Sequence, residues 1–244
     1  PLSHARAGDD AIEAPNGARF DREKGILPAL LEGFWLQREE AKARGDAVAS
    51  YAYKIIMNSF YGVLATGSCR FANDELAGAI TEFGHYILRW AQERLEQKGV
   101  RVIYGDTDSV FVDPGLPPDC TAAAAVAAGA DLGAEVDAEL AAHIAEKYGV
   151  ESRLELEFEK YYARFLLPPM RGSDKGRAKG YAGLRVADGE EWVEIVGMEA
   201  VRRDWTRLAH QLQRQILDLL FHDAGPEAIE QCAVEWVRAL RAGE

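Results

Sequence analysis

Apolar and polar positions alternate along this chain with two distinct periods, and the switches between them mark the elements. A polar tract, Ser3 to Asn16, reads as a leader without regular structure. From Leu27 to Arg44 and again from about Asp46 to Tyr61 the apolar residues recur at helical spacing. Gly45-Asp46 is all that separates the two runs, a connection short enough to predict an antiparallel helix hairpin. Glu75 to Lys98 carries Leu76, Ile80, Phe83, Ile87, Leu88, Ala91 and Leu95 on one stripe, as expected of a helix packed on a sheet. Val100, Val102 and Ile103 lead into an acidic run and Val110, Phe111 and Val112 lead out of it. This pattern predicts a β-hairpin with Gly105 as its turn residue. A Gly/Pro-bearing turn at Pro114-Pro118 follows. Thr121 to Tyr148 is alanine-rich and predicts one or two helices, capped by Thr121 or Asp119. Strands are expected at Leu154-Leu167, Tyr181-Val186 and Trp192-Met198, the last two turning at Asp188-Gly189. Arg207 to Phe221 and Ala228 to Leu240 are amphipathic helices. Strands and helices interleave irregularly, which favours an α+β fold over a doubly wound sheet.

Composition adds bounds. The 244 residues allow one sizeable domain or two smaller ones, and 48% hydrophobic content is ample for a core. Three cysteines, Cys69, Cys120 and Cys232, are far apart, odd in number and without metal-ligand spacing. They argue for a reducing cytoplasmic setting rather than a disulfide framework. No stretch is long and apolar enough to span a membrane, and no signal peptide is visible. The formal net charge is −12, but its distribution is uneven. Lys160, Arg164, Arg171, Lys175, Arg177, Lys179 and Arg185 face only Asp174 within their own stretch. A local basic stripe of this kind suits phosphate binding whatever the total charge.

Two constellations carry chemistry. Tyr104-Gly105-Asp106-Thr107-Asp108-Ser109 places two carboxylates at the tip of the predicted hairpin. Anions so close repel unless a cation neutralises them, and a hard divalent ion such as Mg²⁺ is the natural occupant, sharing its coordination with substrate phosphates. The second constellation has the opposite sign. Lys54 and Asn58 are four apart on one helix face with Tyr61 a turn further on, and Arg38 and Lys42 are four apart on the preceding helix. Facing each other, these side chains form a clamp whose obvious guest is a triphosphate.

Lys54…Asn58-Ser59…Tyr61-Gly62 followed by Tyr104-Gly105-Asp106-Thr107-Asp108-Ser109 resembles motifs B and C of the family B DNA polymerases, and within them the bacterial DNA polymerase II group. The resemblance covers nearly everything after about Gly17. It implies a polymerase palm with an antiparallel sheet and packed helices, an antiparallel helical fingers hairpin, and the first helices of a thumb. The implied domains are fingers with a polar leader at 1–63, palm at 64–203 and start of thumb at 204–244.

By this resemblance the chain takes part in template-directed DNA synthesis, joining dNTPs to a primer 3′-hydroxyl on primer-template DNA. Asp108 is the carboxylate that binds the catalytic Mg²⁺ ions of a two-metal site, with Asp106 close by and less directly engaged. Arg38, Lys42, Lys54 and Asn58 grip the incoming triphosphate. Tyr61 packs under the sugar and the nascent base pair. Of Glu155, Glu157 and Glu159, which alternate along one strand, Glu159 is the one expected near the metals.

The sequence departs from the family pattern in two places. The upstream metal-binding aspartate, in an Asp-x-x-Ser-Leu-Tyr-Pro-Ser strand, has no counterpart, since Asp9 and Asp10 lie in the polar tract and do not match. The resemblance therefore implies an internal piece of a longer polymerase, with little activity alone and with any sliding-clamp contact made through other segments. A Lys-Lys-Arg-Tyr run that contacts DNA in many members is Ala178-Lys179-Gly180-Tyr181 here. Lys179 and Tyr181 remain as DNA-contacting candidates, with Arg171, Lys175, Arg177 and Arg185 as partial compensation.

Taken singly, each feature has an ordinary explanation. The Asp-x-Asp turn could be a solvated loop, Lys54 and Asn58 the wet face of a helix, and Tyr61-Gly62 a helix C-cap. Arg38 and Lys42 could pair with Glu39 and Glu40, and the three glutamates could be a solvent-facing strand edge. Order and spacing together outweigh these readings. Two other classes stay open: a non-catalytic nucleic-acid or nucleotide-binding remnant, and a metal-dependent nucleotide-sugar glycosyltransferase, which also uses an Asp-x-Asp turn.

Overall fold

A computed structural model describes residues 10–23, 25–117, 119–169 and 179–243. The chain is α+β, with small antiparallel sheets and long helices, and it divides into two compact units. The first comprises the residues up to Lys98 together with Thr107–Phe111 and Glu146–Val150; the second comprises Gly99–Asp106, Val112–Ala145 and Glu151–Glu244. Among the described residues no helix is long and apolar enough to cross a membrane.

The first unit opens with a two-stranded ribbon, β1 (Ile12–Glu13) and β2 (Arg19–Phe20), whose flanking Ala14 and Ala18 are buried against Ala79. Helices α1 (Ile26–Ala43) and α2 (Ala47–Ala65) form the expected antiparallel hairpin. Gly45 turns the chain at φ 71°, and the Asp46 carboxylate caps α2 by accepting from the Ala49 N–H at 2.9 Å. Phe34 packs against Tyr53 and Phe60 to hold the two helices together. Asn73 caps α3 (Asp74–Gln97), whose Leu76 and Ala77 join Leu64 of α2 in a small core. Tyr61-Gly62 is not a C-cap: α2 runs on to Ala65.

Strands β3 (Arg101–Asp106) and β4 (Ser109–Asp113) form a two-stranded sheet of their own. Gly105 lies inside β3 rather than in the turn, which is made by Thr107-Asp108 with Thr107 at φ 53°. The turn is thus set by the strand pairing that Asp106 and Ser109 end.

In the second unit α4 is a single helix (Ala122–Tyr148), begun by Thr121, whose hydroxyl accepts from the Ala124 N–H. The strand expected from Leu154 shrinks to β5 (Tyr162–Leu166). Residues 151–161 form no strand, and part of this stretch packs on α4 instead. The Leu156 N–H donates to Asp137 Oδ1 at 2.7 Å, and the Phe158 ring covers Gly129, where a Cβ would lie only 2.5 Å away. Glu155, Glu157 and Glu159 line the exposed side of this segment.

β5 pairs with β6 (Tyr181–Ala187), and β6 pairs with β7 (Glu190–Val196) in unbroken register from Tyr181↔Val196 to Ala187↔Glu190. Helix α5 (Arg207–Phe221) lays Leu217 and Phe221 on Ala182, Leu184 and Ile195 of this sheet, with Met198 and Ala200 completing the core. Helix α6 (Pro226–Ala242) packs on α5, its Trp236 Nε1–H donating to Gln215.

Candidate active site

Asp106 precedes the β3–β4 turn and Asp108 lies in it. Asp106 ends β3 with its side chain one-third exposed, and Asp108 is exposed, its Oδ1 accepting from the Ser109 hydroxyl. Their donors are hard carboxylate oxygens, the type that suits Mg²⁺. Among the described residues no three His, Cys, Asp or Glu side chains converge as a metal-ligand group.

The cationic residues meet in the first unit. Arg38 and Lys42 of α1 and Lys54 of α2 line one open cleft of about 410 Å³, together with Ser50, Tyr51 and the Gly45 and Ala47 turn. Four-residue spacing stacks Arg38 over Lys42, and the tight Asp46 cap brings the first turns of α2 across from them. Lys42 also pairs with Glu39 at 2.7 Å, so the surface ion pair that its spacing allows does form. Arg38 differs, because its Nε is buried and has no hydrogen-bond partner among the described residues. Leaving such a donor unsatisfied costs about 1–3 kcal/mol or more for a charged group, so it is a position suited to an anion.

Asn58 and Tyr61 do not line that cleft. Asn58 is exposed one turn beyond Lys54, and Tyr61 is exposed with its hydroxyl 3.3 Å from Thr81 Oγ1 on α3. Tyr51 and Ser50 do line it and escaped sequence reading. Their spacing of three and four before Lys54 on one helix was the available signal.

In the second unit Lys179 places its ammonium 3.8 Å from Asp106. Tyr181 is half-buried in an aromatic cluster, 5.3 Å from Phe165, 6.4 Å from Tyr162 and 6.3 Å from Tyr104 between ring centroids. Beneath it Glu194 of β7 gathers Lys160 (2.9 Å), the Tyr162 hydroxyl (3.0 Å) and Arg185 (3.6 Å). Burial raises the Glu194 carboxyl, but hydrogen bonds from Lys160 and Tyr162 outweigh it and hold the group below its ordinary value. Burial, reinforced by the Glu194 charge, pushes the Tyr162 hydroxyl far up.

The basic stripe expected from Lys160 to Arg185 is thus not a run of open cations. Lys160 and Arg185 turn to Glu194 of β7, and Arg164 pairs with Asp223 just after α5, anions that lie far along the chain. Arg171, Lys175, Arg177 and Ala178 lie outside the described residues, as does Asp9.

The sequence model of DNA polymerase family B matches residues 8–242. The chain is 41% identical to DNA polymerase II of Escherichia coli over 93% of its length, and 26% identical to a DNA polymerase of Archaeoglobus fulgidus over 97%. A solved family B DNA polymerase from the archaeon Pyrobaculum calidifontis superposes with a TM-score of 0.59 at 26% identity, covering 97% of this chain. The chain belongs to DNA polymerase family B. It spans about 28% of the length of each of these three relatives. Family membership sets aside the glycosyltransferase alternative. As a class, polymerases of this family are metal-dependent.

Proposed function

We propose that this chain is a section of a DNA-directed DNA polymerase, in which it supplies carboxylates for metal binding and the cations that hold an incoming deoxynucleoside triphosphate. The observation that carries the reading is the cleft shared by Arg38, Lys42 and Lys54, where a buried guanidinium N–H lacks an acceptor among the described residues. A polyphosphate supplies several acceptors at once and the charge to balance three cations.

In this reading residues 1–63 act as fingers, 64–203 as palm and 204–244 as the start of the thumb. The primer 3′-hydroxyl attacks the α-phosphorus, the new phosphodiester forms, and the bond to pyrophosphate breaks. Charge grows on the departing oxygens, and Arg38, Lys42 and Lys54 are placed to offset it. Asn58 extends the same helix face, and Tyr61 supplies the platform under the sugar and base. Asp108, with Asp106 beside it, would hold Mg²⁺, which when bound lowers the barrier by activating the hydroxyl and screening the phosphates. Among the described residues the two carboxylates are an incomplete ligand set, which a further carboxylate would complete. Lys179 and Tyr181 serve the primer-template side. The free thiols of Cys69, Cys120 and Cys232 fit a cytoplasmic setting. A sliding clamp is assigned to no residue of this chain.

The test is Lys54→Ala in the polymerase that contains this chain. The nucleotide concentration for half-maximal incorporation should rise about tenfold or more, corresponding to roughly 1.4 kcal/mol. Unchanged nucleotide kinetics would remove the cleft from the reaction.

A further inference from the structure

Lys179 has a backbone that lysine seldom adopts, with φ at 59° in the left-handed region. Two contacts hold it there. Its N–H donates to the Tyr104 hydroxyl at 2.9 Å. Its carbonyl lies directly over Gly197, where a Cβ would sit 1.6 Å from the carbonyl oxygen. Gly197 is itself at φ 63°, so both conformation and space require glycine at the end of β7. Tyr104 is fixed in turn by β3 and by the Tyr181 ring. Tyr104 and Asp106 are two apart on one strand and therefore point to the same face. One grips the backbone of Lys179 and the other receives its ammonium at 3.8 Å.

We propose that Tyr104 and Gly197 are positioning residues that deliver the Lys179 ammonium to Asp106, making Lys179 the built-in counter-ion of that carboxylate. The side chain of Lys179 is 71% exposed, so the pair is screened and its strength is modest. Its value is placement: a fixed cation beside Asp106 lessens the mutual repulsion of two carboxylates separated by a single residue. That consequence rests on the hairpin being the metal-bearing end of the active site, whereas the clamp itself does not.

The clamp is tested by limited reductive methylation of the 244-residue chain, reading each lysine by mass spectrometry. In Asp106→Asn, Tyr104→Phe and Gly197→Ala, Lys179 should react roughly threefold faster relative to the other lysines, the order expected when a screened surface ion pair no longer holds the ammonium. Tyr104→Phe keeps the ring and removes only the acceptor, so it decides the matter if Gly197→Ala unfolds. Unchanged Lys179 reactivity in folded Tyr104→Phe overturns the proposal. Primer extension by the containing polymerase separates the two readings. Lys179→Met should lower kcat with little change in nucleotide KM, and Lys179→Arg should restore part of it. Altered methylation together with undiminished extension in Asp106→Asn would leave the clamp standing and overturn its catalytic consequence.

Discussion

Strands β6 and β7 turn at Asp188-Gly189, both at positive φ (54° and 80°), the backbone that suits a two-residue hairpin and that an Asp-Gly pair adopts readily. Strands β3 and β4 turn at Thr107-Asp108, where a β-branched threonine occupies φ 53°. That conformation costs about 1–2 kcal/mol for an ordinary residue. The first hairpin only has to join two strands over a core, and its turn follows local preference. The second places carboxylates just before and within its turn, on a backbone that local preference does not favour. The contrast lies in turn chemistry: one tip follows local preference and the other departs from it.

Breaking the conventional hairpin should give the larger stability effect. Gly183 of β6 sits under the Tyr162 ring, where a Cβ would lie 2.4 Å away, and that ring is tethered through its hydroxyl to Glu194. Gly183→Ala should therefore cost about 1–3 kcal/mol by overpacking, read as a lowered Tm of the chain. Thr107→Gly should act in the opposite sense at the other tip. Relief of the left-handed strain, less the extra chain entropy of glycine, should leave stability unchanged or raised by about 1 kcal/mol. Primer extension should nonetheless slow several-fold as the carboxylates lose their fixed separation. A stabilised Thr107→Gly variant with full activity would show that the strain has no functional purpose.

The smallest effect is the pH dependence of the β6–β7 side. Glu194 is held below its ordinary value, so its contribution is present above the unfolded glutamate pKa of about 4.3 and fades as pH falls through the lower folded value. Lys160 is raised, chiefly by its hydrogen bond to Glu194. Its contribution is complete below the unfolded lysine value of about 10.4 and fades as pH rises through the higher folded one. Glu194→Gln should flatten the acid limb of a Tm-versus-pH curve, and an unaltered acid limb would mean that Glu194 does not set it.

Much of this was legible in the sequence because it is local. Helical periodicity located α1 to α6 to within a few residues, and the Asp-Gly pair located the β6–β7 turn. What escaped depends on partners distant in sequence. The alternation from Leu154 resembles a strand, yet Phe158 and Leu156 are claimed by Gly129 and Asp137 of α4. The cations of Lys160 to Arg185 resemble a phosphate stripe, yet Glu194 and Asp223 fold back to meet three of them. In the candidate site, Arg38, Lys42 and Lys54 converge in one cleft, and the Asp106-Thr107-Asp108 turn is formed, though without Gly105. The Lys179 carbonyl over Gly197 could not be read from spacing, since nothing in a lone glycine says what approaches it.

The most direct test of the central claim is primer extension by the containing polymerase carrying Asp108→Ala, with primer-template affinity measured alongside. Extension should fall at least about a thousandfold, roughly 4 kcal/mol of transition-state stabilisation, while primer-template affinity changes little. Extension retained near the parent rate would contradict the assignment of the β3–β4 tip to the chemistry.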